Sequence, residues 1–196
     1  MEIKIRLNDH KYRYDVYQMF NIYFALDELK FVDDGEYIIN IEENKITFAF
    51  NGYYKESLIG ENIKEDIKRL VFESLKDITG EEHPWGILVG IRPSKIALKY
   101  LNEGKSNEEI VEIFKEKHLA AREKAELCIE VAKAEESFVN TDEKKIAIYV
   151  GMAFCPTRCF YCSFAANPIM GNKKMVNPYL EALTKEIRAL KEYVNL

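Results

Sequence analysis

The sequence predicts an α/β fold, made of a small N-terminal unit in which helices cover a short sheet, a helical connector, and a closing segment of strand, loop and helix. Three observations carry that reading. Apolar patterns of period two and period 3.6 alternate over residues 1–80, the stretch 93–138 is helical in pattern throughout, and an apolar run before Gly151 leads into CPTRCFYC and then a further amphipathic stretch. The expected domains are 1–82, a small α/β accessory domain, 83–140, the helical connector, and 141–196, the segment that holds the cysteine loop.

Glu2 to Leu7 alternates charged and aliphatic residues and predicts a half-exposed strand. From Tyr12 to Leu29, the residues Val16, Met19, Phe20, Tyr23 and Leu26 recur at helical spacing and predict an amphipathic helix. Tyr37 to Ile41 and Lys45 to Phe50 are strand-like runs joined by Glu42-Glu43-Asn44, the pattern of a hairpin. A second helix is predicted from about Ile63 to Ile78, with Ile67, Leu70, Val71, Ser74, Leu75 and Ile78 on one face and Gly80 beyond its end. His83-Pro84-Trp85-Gly86 and Gly90-Ile91-Arg92-Pro93-Ser94 break the pattern on either side of Ile87-Leu88-Val89.

Pro93 suits the first turn of a helix that carries Ile96, Ala97, Tyr100 and Leu101 and ends at Gly104. Ser106 and Glu109 have capping-box spacing for the next helix, whose apolar face is Ile110, Ile113 and Phe114. Residues 120–138 predict a third connector helix containing Leu127, Cys128, Val131 and Ala134. Beyond a turn at Asn140-Thr141-Asp142, Lys145 to Val150 predicts a buried strand that delivers the chain to Gly151. Asn167-Pro168 and Gly171 to Lys174 predict a polar loop, and Pro178 opens a closing helix to about Tyr193, with Leu180, Leu183, Ile187 and Leu190 as its stripe.

Composition narrows the function classes. With 196 residues, 47% hydrophobic, 31% charged and 12% aromatic, the chain has the make-up of a folded protein rather than a disordered one. Its 28 basic and 33 acidic residues give a net charge of -5, which argues against a broad nucleic-acid surface. The recurrent aromatics Tyr12, Tyr14, Tyr17, Phe20, Tyr23 and Phe24 read as core and rim rather than as a base-stacking platform. No run approaches the roughly 18 apolar residues of a membrane span, and Met1 to Arg6 lacks the apolar core of a signal peptide, so the expected compartment is the cytoplasm. Four cysteines in that compartment are not expected to form structural disulfides.

Three of those cysteines, Cys155, Cys159 and Cys162, form C-x3-C-x2-C. Thiolates are soft ligands, and a cluster of iron and sulfide takes several of them held close enough to bind separate irons. Three thiolates leave one corner of a cubane open, and no fourth cysteine follows at the spacing of bacterial ferredoxins. An open iron accepts an external ligand and passes it an electron, whereas a fully ligated cluster mainly relays electrons. A zinc site completed by Cys128 or a histidine is the other metal reading, although structural zinc sites commonly use paired C-x2-4-C units. Cys128 shares a helical pattern with Leu127 and Val131 and reads as a small core side chain.

The order of strand, Cys155-Pro156-Thr157-Arg158-Cys159-Phe160-Tyr161-Cys162 and helix resembles the cluster-binding segment of the radical S-adenosylmethionine superfamily, with Tyr161 at the aromatic place of its C-x3-C-x-aromatic-C signature. The resemblance implies that Cys155, Cys159 and Cys162 ligate three irons of a [4Fe-4S] cluster. It implies that the open iron binds S-adenosyl-L-methionine, that Tyr161 packs beside the adenine, and that reductive cleavage yields a 5'-deoxyadenosyl radical. Ile148 to Cys155 is similar to the strand that leads into the cluster loop of oxygen-independent coproporphyrinogen III oxidases, where a tyrosine at the place of Tyr149 approaches cluster and cofactor. Trp85 to Lys95, WGILVGIRPSK, resembles an upstream element of the HemZ-type branch, which also carries a long N-terminal extension.

Phe164 stands where the better-known oxidases have a further cysteine, Gly151 where they have a histidine, and Met152-Ala153 where isoleucine-proline is common. These departures bring the chain nearer to the HemZ-type and haem-chaperone branches. The resemblance implies an oxidoreductase of haem and porphyrin biosynthesis that converts coproporphyrinogen III to protoporphyrinogen IX, two propionates losing carbon dioxide to become vinyl groups. It implies a porphyrinogen substrate and a one-electron donor such as flavodoxin or ferredoxin as partners. A haem chaperone-like or noncatalytic recognition protein is the alternative, and no catalytic side chain is singled out. Only 34 residues follow Cys162, while a (β/α)8 barrel takes about 250. Residues 141–196 are therefore expected to hold only the first β/α unit of a truncated partial TIM barrel.

Other polar residues carry weaker signals. Arg92 and Lys95 are candidates for substrate carboxylates, but a solvated surface or salt bridges to the acidic helices account for them better. His10, His83 and His118 share no ligand spacing, His83 beside Pro84 reads as a turn residue, and Lys173-Lys174 reads as a solvated loop.

Overall fold

The computed structural model describes residues 2–138, 148–157, 159 and 166–194. Contacts divide the chain into two compact units, Met1–Asn140 and Thr141–Leu196. The first is an α/β fold with a mixed sheet and helices, and no closed barrel occurs among the described residues.

Five strands build the sheet: β1 (Ile3–Leu7), β2 (Leu29–Phe31), β3 (Tyr37–Ile41), β4 (Lys45–Phe50) and β5 (Tyr53–Leu58), in the order β2-β1-β3-β4-β5. The predicted hairpin is β3 and β4, paired antiparallel with Ile41 opposite Ile46. β2 and β3 both run parallel to β1, on opposite sides of it, and Ile5 stands opposite both Phe31 and Tyr37. The chain between them must therefore step across the β1 backbone. Gly35 sits at the crossing, where a Cβ would lie 2.4 Å from the Arg6 nitrogen and 2.6 Å from the Ile5 carbonyl carbon. Any side chain there collides with main chain that is itself fixed in the sheet.

Two helices, α1 (Arg13–Tyr23) and α2 (Ile63–Thr79), cover one face of this sheet. Ile3, Ile5 and Leu7 of β1, Ile39 of β3 and Ile46 and Phe48 of β4 meet Val16, Met19 and Phe20 of α1 and Ile67, Leu70, Val71 and Leu75 of α2 in one core. α2 has Glu65 and Asp66 in its first turn, Lys76 in its last, and Gly80 at φ 72° beyond its end, each favourable to its dipole or its termination. The predicted helix to Leu29 is corrected: α1 stops at Tyr23, because Phe24 is extended and Leu29–Phe31 is drawn into the sheet as β2. β2 and β5 are both additions to the expected order of elements.

The connector is α3 (Ser94–Asn102), α4 (Asn107–His118) and α5 (Arg122–Glu136), with a second core of Ala97, Leu98, Ile110, Val111, Phe114, Ala125, Cys128, Ile129 and Ala132. The capping box at α4 is formed reciprocally: the Glu109 N–H donates to the Ser106 hydroxyl at 3.3 Å, and the Ser106 N–H donates to the Glu109 carboxylate at 2.8 Å. Residues 84–88 tie this bundle to the sheet. The Ile87 N–H donates to the His118 carbonyl at 3.0 Å and the Ala121 N–H to that of Pro84 at 2.9 Å. Gly86, at φ 55°, lies so close that a Cβ would be 2.1 Å from the His118 oxygen. Ile87 then belongs to the first core and Leu88 to the second.

The second unit holds β6 (Phe154–Cys155), β7 (Asn167–Pro168) and a helical stretch, α6 (Ile169–Val194), which is interrupted at Met170 (ψ 119°) and Gly171 (φ 92°). β6 and β7 pair in parallel, Phe154 with Asn167 and Cys155 with Pro168. Three expectations are corrected here. Ile148 to Val150, the described part of the predicted strand, is exposed and belongs to no strand. Asn167-Pro168 is strand rather than loop. Pro178 lies inside α6 instead of opening it, because Gly171 in the left-handed region already sets the start of the regular helix. Asn140-Thr141-Asp142 and Lys145 to Ala147 lie outside the described residues.

Candidate functional site

The first cysteine of the triplet ends β6, and β7 follows the triplet in sequence. Cys155 is the last residue of β6, half-buried, and faces Pro168 across the pair, while Cys159 is exposed. Both are free thiols. Tyr161 and Cys162, with Arg158, Phe160 and Phe164, lie outside the described residues. Among the described residues no group of three or more His, Cys, Asp and Glu is placed to hold a metal ion. The two thiols that are described are soft donors at the base and on the arm of one loop, a donor set that fits iron and sulfide better than a hard cation.

The segment leading into the loop is held from two sides. Asn167 donates both its N–H, at 2.8 Å, and its Nδ2, at 3.3 Å, to the Ala153 carbonyl. From α6, the Tyr179 hydroxyl donates to the Gly151 carbonyl at 2.5 Å, and its ring stands edge-on to Phe154 with centroids 5.4 Å apart. At the start of α6, Asn172 Nδ2 donates to the Pro168 carbonyl at 2.8 Å. A cavity of about 320 Å³ runs beside this clamp, lined by Tyr149, Gly151, Tyr179, Leu183, Glu186 and Ile187 among others. Tyr149, a candidate cofactor neighbour by resemblance, is 87% exposed on its rim. Neither Tyr179 nor Asn167 stands out in the sequence, because each acts through one polar atom aimed at a distant carbonyl, and no periodic pattern records that.

Several charged residues of the first unit pair with one another. A larger groove in the first unit is lined by Lys55, Lys76 and Lys115, but Lys55 pairs with Glu73 and Asp77, Lys76 with Glu82, and Lys115 with Glu112. Cys128 is buried against Ile129 and Ala132, and burial pushes its thiol above the usual range, as suits a packing side chain. His83 is more than a turn residue: it is half-buried, with its ring edge-on to Tyr23 at 4.5 Å. Burial at the end of α4 pushes His118 below the usual histidine range, and Arg92 and Lys95 are exposed. No helix among the described residues is long and apolar enough to cross a membrane.

Among curated proteins the chain is similar to the oxygen-independent coproporphyrinogen-III oxidase-like protein HemZ of Bacillus subtilis (strain 168), 33% identical over 135 residues. The match takes in 67% of this chain and 27% of that protein, so the chain spans about a quarter of the relative's length. A match of that extent cannot avoid the middle of the chain, and it includes Trp85 to Lys95. No family model matches. No solved structure matches.

Proposed function

We propose that this chain carries the N-terminal region and the cluster loop of a radical S-adenosylmethionine oxidoreductase that acts on a porphyrinogen. The observation that supports it best is Cys155 at the end of β6, opening a loop with two more cysteines at C-x3-C-x2-C spacing. In this reading Cys155, Cys159 and Cys162 hold a [4Fe-4S] cluster, and Tyr149 and Tyr161 lie beside S-adenosyl-L-methionine. The cluster, when bound, supplies one electron at an iron with a free coordination place. The chain's own part is positional: β6, pinned by Asn167 and Tyr179, fixes where the first thiolate stands, and the loop fixes the other two relative to it. Residues 1–82 and 83–140 form an accessory domain and a connector ahead of the radical domain that begins near 141.

The similarity to HemZ favours coproporphyrinogen III as substrate, with loss of two carboxyl groups, and the electron comes from a donor such as flavodoxin or ferredoxin. Phe164, standing where the better-known oxidases have a further cysteine, supports a second reading, a haem chaperone-like protein on a related scaffold. Anaerobic reconstitution with iron and sulfide tests the cluster: about four irons per chain and a broad absorbance near about 400 nm are expected. Replacing any one of Cys155, Cys159 and Cys162 with Ala abolishes both, and Cys128→Ala changes neither. Failure of the wild type to retain iron removes the cluster assignment. In the full-length protein with cluster in place, recovery of protoporphyrinogen IX from coproporphyrinogen III separates the oxidase from the chaperone, which transfers haem without product; the present chain alone is expected to be inactive.

A further inference from the structure

We infer that Tyr179 is a positioning residue for the cysteine loop, setting the Gly151–Cys155 segment from which the first thiolate projects. The inference rests on the proposed cluster for its purpose, but its geometry stands apart from it. Of the described residues just before Cys155, Ile148 to Val150 belong to no strand and are exposed, so the sheet holds this approach only at its very end. Two outside contacts compensate. Asn167 takes the Ala153 carbonyl, and Tyr179, 28 residues away in sequence, takes the Gly151 carbonyl at 2.5 Å.

The same ring then meets Phe154 edge-on at 5.4 Å, one residue before the thiol, so a single side chain fixes both ends of the approach. Tyr179 sits on α6 beyond Gly171, on the face that also brings Leu183 and Leu190 to the cavity. Helix packing alone accounts for an apolar residue at this place. A hydroxyl there is explained by the carbonyl it meets.

Tyr179→Phe keeps the ring and deletes the bond. In the reduced, iron-free protein, alkylation of individual cysteines is followed by peptide mass spectrometry, with buried Cys128 reporting that the first unit is intact and the far-UV helical signal reporting that α6 is retained in the second. The expected result is a two- to tenfold faster reaction at Cys155 with Cys128 unchanged, the range that follows from the loss of about 0.5–1.5 kcal/mol. Phe154→Leu, which removes the ring partner alone, gives an increase in the same direction at the same thiol. In reconstituted protein, Tyr179→Phe also changes the electron paramagnetic resonance line shape of the reduced cluster. Equal Cys155 rates in wild type and both variants overturn the role of Tyr179, even where the wild type loads iron normally. A wild type that binds no iron overturns the cluster instead and leaves the alkylation rates to decide the clamp.

Discussion

Gly35 has no room for a side chain for a reason that only the sheet topology supplies. β2 and β3 flank β1 in parallel, and the short link between them passes over the Ile5–Arg6 peptide at a distance that excludes a Cβ. Both backbones belong to the core of the first unit, so neither yields without loss of pairing. Gly35→Ala is expected to cost about 3 kcal/mol, at the upper end for overpacking, because the colliding atoms are main chain. Urea unfolding at neutral pH measures it; a loss below about 1 kcal/mol shows that the crossing relaxes freely and that the sheet order does not constrain it. The residue lies in Asp33-Asp34-Gly35-Glu36, a polar stretch whose sequence carries no sign of a crossing. What makes it indispensable is a partner far earlier in the chain, the Ile5–Arg6 peptide.

Elements were legible where their stability is local. α2 announces itself through Ile67, Leu70, Val71 and Leu75 and a terminal Gly80, and α4 through Ser106 and Glu109. β2 was hidden because three residues, Leu29–Phe31, carry no period, and they gain their identity only from pairing with β1. β5 was hidden for another reason: Tyr53, Lys55 and Ser57 turn inward, and the sequence shows a polar strip where an edge strand lays Tyr53 and Lys55 against Asp77 of α2. In the second unit the cysteine loop was legible by spacing, while its clamp was not, since Tyr179 and Asn167 work by single hydrogen bonds. The local elements make a direct prediction. The Ser106 hydroxyl and N–H hold the Glu109 carboxyl below the usual carboxylate range. A depressed value means that the stabilisation is complete above the unfolded value and is lost as pH falls through the folded one, below about pH 4. Ser106→Ala is expected to lower stability by about 1 kcal/mol at pH 7, and the gap between variant and wild type narrows as the acid is titrated. A gap that stays constant down to about pH 3 assigns the effect to helix propensity rather than to the cap.

The first unit has two hydrophobic cores, and the question for the molecule is whether they melt as one. Phe48 is fully buried in the sheet core and Phe114 in the helical core. Residues 84–88 join the two: Ile87 enters one, Leu88 the other, and Gly86 allows the main chain to lie against the end of α4. A short link whose backbone groups are spent on His118 and Ala121 cannot loosen on one side without exposing apolar surface on the other. Trp85, the sole tryptophan, packs on the helical core beneath Lys124, so its fluorescence reports that core alone, whereas far-UV circular dichroism reports the whole chain. Phe48→Ala and Phe114→Ala each remove a buried aromatic, at a cost of about 3–5 kcal/mol. If the link couples the cores, Phe48→Ala lowers the denaturation midpoint seen by Trp85 as much as the midpoint seen by circular dichroism, although Phe48 belongs to the other core. An unmoved Trp85 midpoint in that variant makes the connector an independent folding unit, and the Trp85 to Lys95 segment a linker rather than a joint.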